Sequence, residues 1–356
     1  MPRRFSRRNA LLNASLVCIS LAVAAVIGEI VLRALGYYGV RYSDVRLIEY
    51  VDDDVLDFRP IPNTTRIYNN IVYKTNEFGW RDYPYSHSKP ANTFRILVIG
   101  DSVTWGLGVS LERTYAKHLE KELNQSGHAG VEYQVVVVSL AALNVEQEAH
   151  LLEVEGLKYD PDLVVVGYAL NDPDDGVSFG RQKREKSARK RPSFFLKAKK
   201  LLAQSSLIHY TFRFAQKIVW NVRVLVGKDE TGWRVKGGYF TSLYEDPTKW
   251  ERVVRAFQKI EQIANEREIP VVLTVFPLMS DLDDYRWSSI HERIASAASD
   301  CGFFVLDLLP HFRRHHEREL QVASGDHIHP NELGHRIAGD ALHQVILEEG
   351  LVQARR

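Results

Sequence analysis

From position 94 onward the chain alternates short apolar runs with stretches of amphipathic spacing. The runs are 94–100 (FRILVIG), 133–138 (YQVVVV), 163–168 (LVVVGY), 271–276 (VVLTVF) and 303–306 (FFVL). They are rich in β-branched residues and lack in/out alternation, which predicts strands buried on both faces. Between and after them, 111–124, 145–157, 248–267, 284–299 and 331–348 carry helical spacing, the last opened by Pro330-Asn331. Five strands alternating with helices predict a parallel sheet covered on both faces, a three-layer α/β/α domain over 94–350. In such sheets ligands sit at the carboxyl ends of the strands, near the switch in strand order.

The rest of the chain breaks this rhythm. Residues 36–93, rich in Tyr, Asp, Asn and Pro, read as a β-containing lead-in. Residues 173–247 form an insertion after the third strand: a basic stretch at 181–200, then an apolar pattern through 201–226. No internal repeat is present. At the N-terminus, a basic arm (1–9) carries Arg3, Arg4, Arg7 and Arg8, and residues 10–35 are mostly apolar. The charge-free stretch 10–28 is 19 residues, close to the roughly 20 that span a bilayer. Arginines ahead of the span predict a single-pass signal anchor, with the N-terminus cytoplasmic and the body extracytoplasmic, hence periplasmic in a Gram-negative cell. A cleaved signal peptide, with Ala22-Val23-Ala24 as its small-residue site, is the competing reading, and a buried soluble helix a third. The apolar run continues well past those alanines, which favours the anchor.

Charge sharpens the division. The 356 residues hold 46 Lys plus Arg and 45 Asp plus Glu, a net charge of +1. Residues 1–33 carry +4 and residues 173–230 carry +9, leaving the remainder at −12. Overall neutrality argues against a protein that coats nucleic acid, and an extracytoplasmic body argues further against that partner. Ten of the twenty residues in 181–200 are Lys or Arg, with Glu185 the only acid. This segment is either a solvated loop, a contact with anionic lipid assisted by Phe194-Phe195 and Leu201-Leu202, or a site for an anionic polysaccharide. Two cysteines, Cys18 and Cys301, make no disulfide framework.

Chemistry-bearing residues collect at the predicted strand ends. The first strand ends in Gly100-Asp101-Ser102 and the third in Asn171-Asp172. Ser324-Gly325-Asp326-His327-Ile328-His329-Pro330-Asn331 precedes the last helix. A nucleophilic serine needs an imidazole base, held in turn by a carboxylate. Asp326 and His329, three apart on one loop, can meet; Asn171 can offer its amide to an oxyanion. His327 is the alternative base, disfavoured because it breaks the Asp-x-x-His spacing. Trp105 is either a pocket wall or a packing residue. Most of the 13 histidines are expected at the surface, and none joins a spaced ligand set for a metal.

The blocks GDSVTWG (100–106), YALND (168–172) and DHIHPN (326–331) resemble those of the SGNH/GDSL hydrolase family. NEFGWRD (76–82) and FRILVIGDS (94–102) are similar to stretches in its membrane-anchored extracytoplasmic members. The likeness covers roughly 76–345, with the insertion poorly matched. It implies a flavodoxin-like fold with Ser102 as nucleophile, His329 as base and Asp326 as its orienting acid. It also implies an oxyanion hole of the Ser102 N–H, the Asn171 amide and a second-block N–H, with no metal or organic cofactor. That second block normally supplies a glycine; here Ala142 takes the slot, and would be strained if the slot needs positive φ. Ala169 replaces another frequent glycine. The implied activity is a serine esterase removing an acyl group, for instance acetyl, from a small molecule or glycan outside the cytoplasm. Alternatives are an O-acyltransferase of envelope polysaccharide and a non-catalytic glycan-binding or assembly protein on the same fold.

Overall fold

The computed structural model describes residues 7–36, 39, 46–51, 55–126, 130–174, 201–202, 204–211, 214–215 and 238–352. The basic stretch 181–200, and most of the 173–247 insertion, lie outside the described residues. The chain forms two compact units. One comprises Met1–Ser43, Ile67–Asn70 and Ala188–Asp229, and the other the remainder.

In the first unit, helix α1 (Arg7–Ala34) is the dominant element. Its segment Leu12–Ala34 has 23 residues and a mean hydropathy of 2.5, with none of the window buried, so it is long and apolar enough to cross a membrane. At 1.5 Å per residue it reaches about 35 Å, against about 30 Å of hydrocarbon.

Four short strands precede the main sheet in the chain: β1 (Ile48–Tyr50), β2 (Phe58–Pro60), β3 (Thr65–Tyr68) and β4 (Ile71–Lys74). β1 and β2 pair antiparallel. The main sheet follows, with β5 (Thr93–Gly100), β6 (Glu132–Ser139), β7 (Leu163–Ala169), β8 (Val271–Phe276) and β9 (Phe304–Asp307). All are parallel, in the order β6-β5-β7-β8-β9. The first strand of the set is thus flanked by the second and third, the flavodoxin-like order, and the winding reverses between β5 and β7.

The helices are α2 (Tyr115–Ser126), α3 (Val145–Val154), α4 (Tyr239–Glu245), α5 (Pro247–Asn265) and α6 (Ser288–Asp300). Two single-turn helices, α7 (Leu309–Phe312) and α8 (Glu317–Leu320), and then α9 (Glu332–Glu348), follow among the described residues. α2 packs against α9, and α3 against α5. Between these layers Ile96–Ile99, Val135, Val138 and Leu163–Val166 are essentially inaccessible to solvent, as the unalternating apolar runs predict.

Three helix boundaries differ from the sequence reading: the 145–157 segment is α-helical only to Val154, with a 3-10 turn at Gly156–Tyr159 after it, and two others begin late. The 111–124 segment is a 3-10 turn at Leu111–Arg113, and the α-helix begins only at Tyr115, because Thr114 is extended (φ −70°, ψ 153°). The 284–299 segment becomes helical at Ser288. One charged residue lies inside the apolar sheet. Arg95 of β5 is fully buried, and its guanidinium donates to Gln134 Oε1 (2.8 and 3.1 Å) and to the carbonyls of Tyr159 (2.6 Å) and His87 (3.1 Å). Such pairing offsets the desolvation that would otherwise exclude it.

Candidate active site

The site is built where β5 and β7 end side by side. Gly100 and Gly167 are register partners there. A β-carbon on either would collide with Thr104 Oγ1, which turns back over both and meets Tyr115 Oη at 2.8 Å. Glycine at both positions lets the chain fold over the strand tips. In the turn that results, Trp105 N–H donates to Asp101 O (2.9 Å) and Leu107 N–H to Ser102 O (3.1 Å). Ser102 stands on this turn.

Ser102 Oγ lies 2.9 Å from His329 Nε2. On the far side of the ring, His329 Nδ1 lies 2.9 Å from Asp326 Oδ2 and 3.0 Å from Oδ1. Asp326 Oδ1 also accepts the backbone N–H groups of His329 (2.9 Å) and Ile328 (3.1 Å). Burial pushes the Asp326 carboxyl up, but the His329 ring and these N–H groups outweigh it and hold the acid below its ordinary value. The carboxylate therefore fixes the tautomer that leaves Nε2 free to accept from Ser102.

His327 faces elsewhere: its Nδ1 lies 3.0 Å from Met279 O and 3.2 Å from Gln321 Nε2. Two other histidines are also buried. His291 sits between Asp307 (2.8 Å) and Tyr285 Oη (3.1 Å), and His335 Nδ1 accepts the Tyr115 N–H (3.2 Å). Burial, with Arg81 and His329 nearby, lowers the His335 pKa to about 3. Among the described residues no group of three or more His, Cys, Asp or Glu side chains is arranged to hold a metal.

Asp101 has a larger part than its place in the first block suggests. Fully buried, it accepts the Val103 N–H on Oδ1 (2.8 Å), and its Oδ2 takes Asn171 Nδ2 (3.1 Å) and lies 3.2 Å from Ser102 Oγ. One carboxylate thereby ties the serine turn to the turn after β7. Asn171 keeps its second amide hydrogen available. Ala142 lies in the turn after β6 with φ +72°, so the second-block alanine occupies the left-handed region. Ser139 at the end of β6 is the register partner of Gly100, which puts this turn at the same end of the sheet as Ser102. Ala169 ends β7 with a strand conformation and carries no such penalty.

Behind the site lie two more buried acids. Glu148 of α3 has neither carboxyl oxygen hydrogen-bonded, and Asp172 Oδ2 accepts the Ala169 N–H (2.8 Å). Burial raises both acids well above their ordinary values, and repulsion from Asp101 adds to it for each.

The lead-in reaches the site through Arg81, which is nearly inaccessible. Its guanidinium donates to the carbonyls of Trp105 (2.6 Å), Gly106 (2.7 Å) and Val109 (2.6 Å). It also lies over the rings of Tyr73 (4.5 Å) and Trp105 (5.3 Å), which stack 4.6 Å apart. Burial lowers its pKa to about 10, which leaves it charged. The next residue, Asp82, pairs with buried Lys117 of α2 at 2.6 Å. Roles for Arg81, Asp101 and Glu148 are invisible to spacing; the only sequence signal is an acidic or basic residue inside an otherwise apolar block.

A sequence model of the GDSL-like Lipase/Acylhydrolase family matches residues 98–337. Among solved structures, the chain is similar to TesA at 15% identity, covering 72% of this chain and 99% of that one, with a TM-score of 0.41. It is similar to the acetyl xylan esterase AlAXEase at 15% identity, with 71% and 100% covered and a TM-score of 0.41. For the lipase/acylhydrolase from Enterococcus faecalis the values are 14%, 74%, 99% and 0.40. No curated protein matches the chain.

Proposed function

The chain belongs to the GDSL-like lipase/acylhydrolase family and is a carboxylic ester hydrolase, and from that premise we propose that Ser102, His329 and Asp326 carry the reaction. The observation that carries this reading is the unbroken path from Asp326 through the His329 ring to Ser102 Oγ, with 2.9 Å at each step.

Ser102 Oγ attacks the ester carbonyl as its proton passes to His329 Nε2, and Asp326 holds the imidazolium so formed. The oxyanion is received by the Ser102 and Ala142 N–H groups and by the Asn171 amide hydrogen that Asp101 does not take. Collapse expels the alcohol, which takes the proton from His329 and leaves an acyl-enzyme. Water, deprotonated by His329, then attacks the acyl carbon and releases the acid and Ser102.

The substrate we assign is an acylated glycan or smaller ester outside the cytoplasm, acetyl being the simplest acyl group. The four N-terminal arginines ahead of an apolar span support an extracytoplasmic catalytic domain at 94–350. Trp105, half-buried and held flat against Tyr73, supplies a fixed aromatic surface three residues from the nucleophile.

Fluorophosphonate labelling of the full-length chain in detergent tests the mechanism, with Ser102→Ala beside the native protein. Label on the native chain alone is expected, together with acetate release from acetylated oligosaccharides. Equal labelling of both chains would remove Ser102 from its assigned role. Transfer of acetyl to an added sugar in place of water would reassign the second half-reaction.

A further inference from the structure

The first unit carries an acid where a membrane span should have none. Glu29 lies within the apolar segment Leu12–Ala34, and its carboxylate is fully engaged. Oε1 accepts Arg33 Nε (2.7 Å) and the Ser206 N–H (3.0 Å); Oε2 accepts the Leu207 N–H and Ser205 Oγ, both at 2.9 Å. These N–H groups open the helical residues 206–211, and such groups have no partner within their own helix. Contact is close beside this cap: a β-carbon on Gly28 would lie 3.5 Å from Leu207 Cδ1. Around the capped turn, Leu201 (69% exposed), Leu202 (53%), Ile208 (41%) and Phe214 (66%) present apolar side chains outward.

We propose that residues 201–202, 204–211 and 214–215 are a second membrane contact, lying in the headgroup–acyl boundary of an anionic bilayer, with Glu29 as the latch that sets their depth. The inference rests on α1 being a membrane span. Glu29 precedes Ala34 by five residues, about 7.5 Å along the axis. A segment tied there lies within the about 5–10 Å at which interfacial helices bury their apolar face. Its leucines and phenylalanine are as uncovered as Leu21, Val26 and Ile30 of α1. The preceding twenty residues supply ten cations against one acid, complementary to anionic headgroups. The Ser205, Ser206 and Leu207 donors let the acid enter the boundary region without an unpaired charge.

The test uses the full chain with Cys18→Ala and Cys301→Ala, reconstituted in 3:1 phosphatidylethanolamine–phosphatidylglycerol vesicles. A nitroxide is placed by Phe214→Cys, or in a second sample by Val23→Cys. Power saturation against oxygen and a water-soluble nickel chelate is expected to report bilayer depth at both positions, shallower at 214. If 23 is in lipid and 214 is in water, this inference fails and the anchor stands. If both are aqueous, the anchor reading fails with it. Shielding of 214 from both reagents, with spin–spin broadening, would mean that a second copy covers the patch and would also overturn the proposal. Adding Glu29→Ala is expected to raise nickel access at 214 at least threefold, with Glu29→Gln between the two. No change in either variant would refute the latch.

Discussion

At the scale of single residues the site combines groups placed by strain with groups placed by pairing. Ala142 sits at φ +72°, where a β-carbon costs about 1 kcal/mol relative to glycine. Ala142→Gly is therefore expected to stabilise the protein by about 1 kcal/mol in chemical denaturation while keeping ester hydrolysis. Loss of activity would show that the alanine side chain has a role of its own. Glu148 holds its proton more tightly in the fold than in the unfolded chain, because burial comes first and Asp101 second. Its stabilisation is complete below the ordinary carboxyl range and is lost as pH rises toward its raised folded value. Glu148→Gln, always neutral, should melt above the native chain at pH 8 and match it near pH 4. The expected gap is about 2–4 °C per kcal/mol; equal melting at both pH values would show that Glu148 is not protonated more tightly in the fold. Ser102, Asn171, Asp326 and His329 were legible because each ends a strand or shares one loop. Asp101, Arg81 and Glu148 were not, because burial and partners from distant segments are what give them meaning.

At the scale of elements, the turn that bears Ser102 is braced from outside its own sheet. Arg81 donates to three carbonyls of the 105–109 turn, and Tyr73 Oη accepts the Gly108 N–H at 2.8 Å. Arg81→Met should lower kcat about tenfold or more with KM little changed, since it orders the turn without facing substrate, whereas Arg81→Lys should recover only part because it lacks the planar fork. A KM effect alone would reassign Arg81 to binding. The neighbouring Asp82–Lys117 pair fixes the same segment to α2. Asp82→Asn leaves Lys117 with Glu120 (3.3 Å) and the Val135 carbonyl as partners, and a loss of about 1–3 kcal/mol is expected by urea unfolding. The five strands were readable from β-branched runs, and α9 from its asparagine cap, whose Oδ1 accepts the Leu333 and Gly334 N–H groups at 2.9 and 3.2 Å. The lead-in was readable only as β-containing: its strands are three or four residues long, too short for periodicity to place them.

At the scale of the whole molecule, a net charge of +1 conceals basic segments at the N-terminus and insertion and an acidic remainder. Composition alone shows that asymmetry; the pairing of Glu29 with residues 205–207 could not be read, since it joins positions about 176 apart. The proposed nucleophile and its base are likewise 227 residues apart, and that separation gives the chain a timetable. A ribosome makes Ser102 long before His329, so a growing chain carries a serine with no base to activate it. Reactivity at Ser102 is then a certificate of completion, acquired only when the last loop and α9 have closed on the sheet. An ester hydrolase made this way spares the esters around it until its fold is closed.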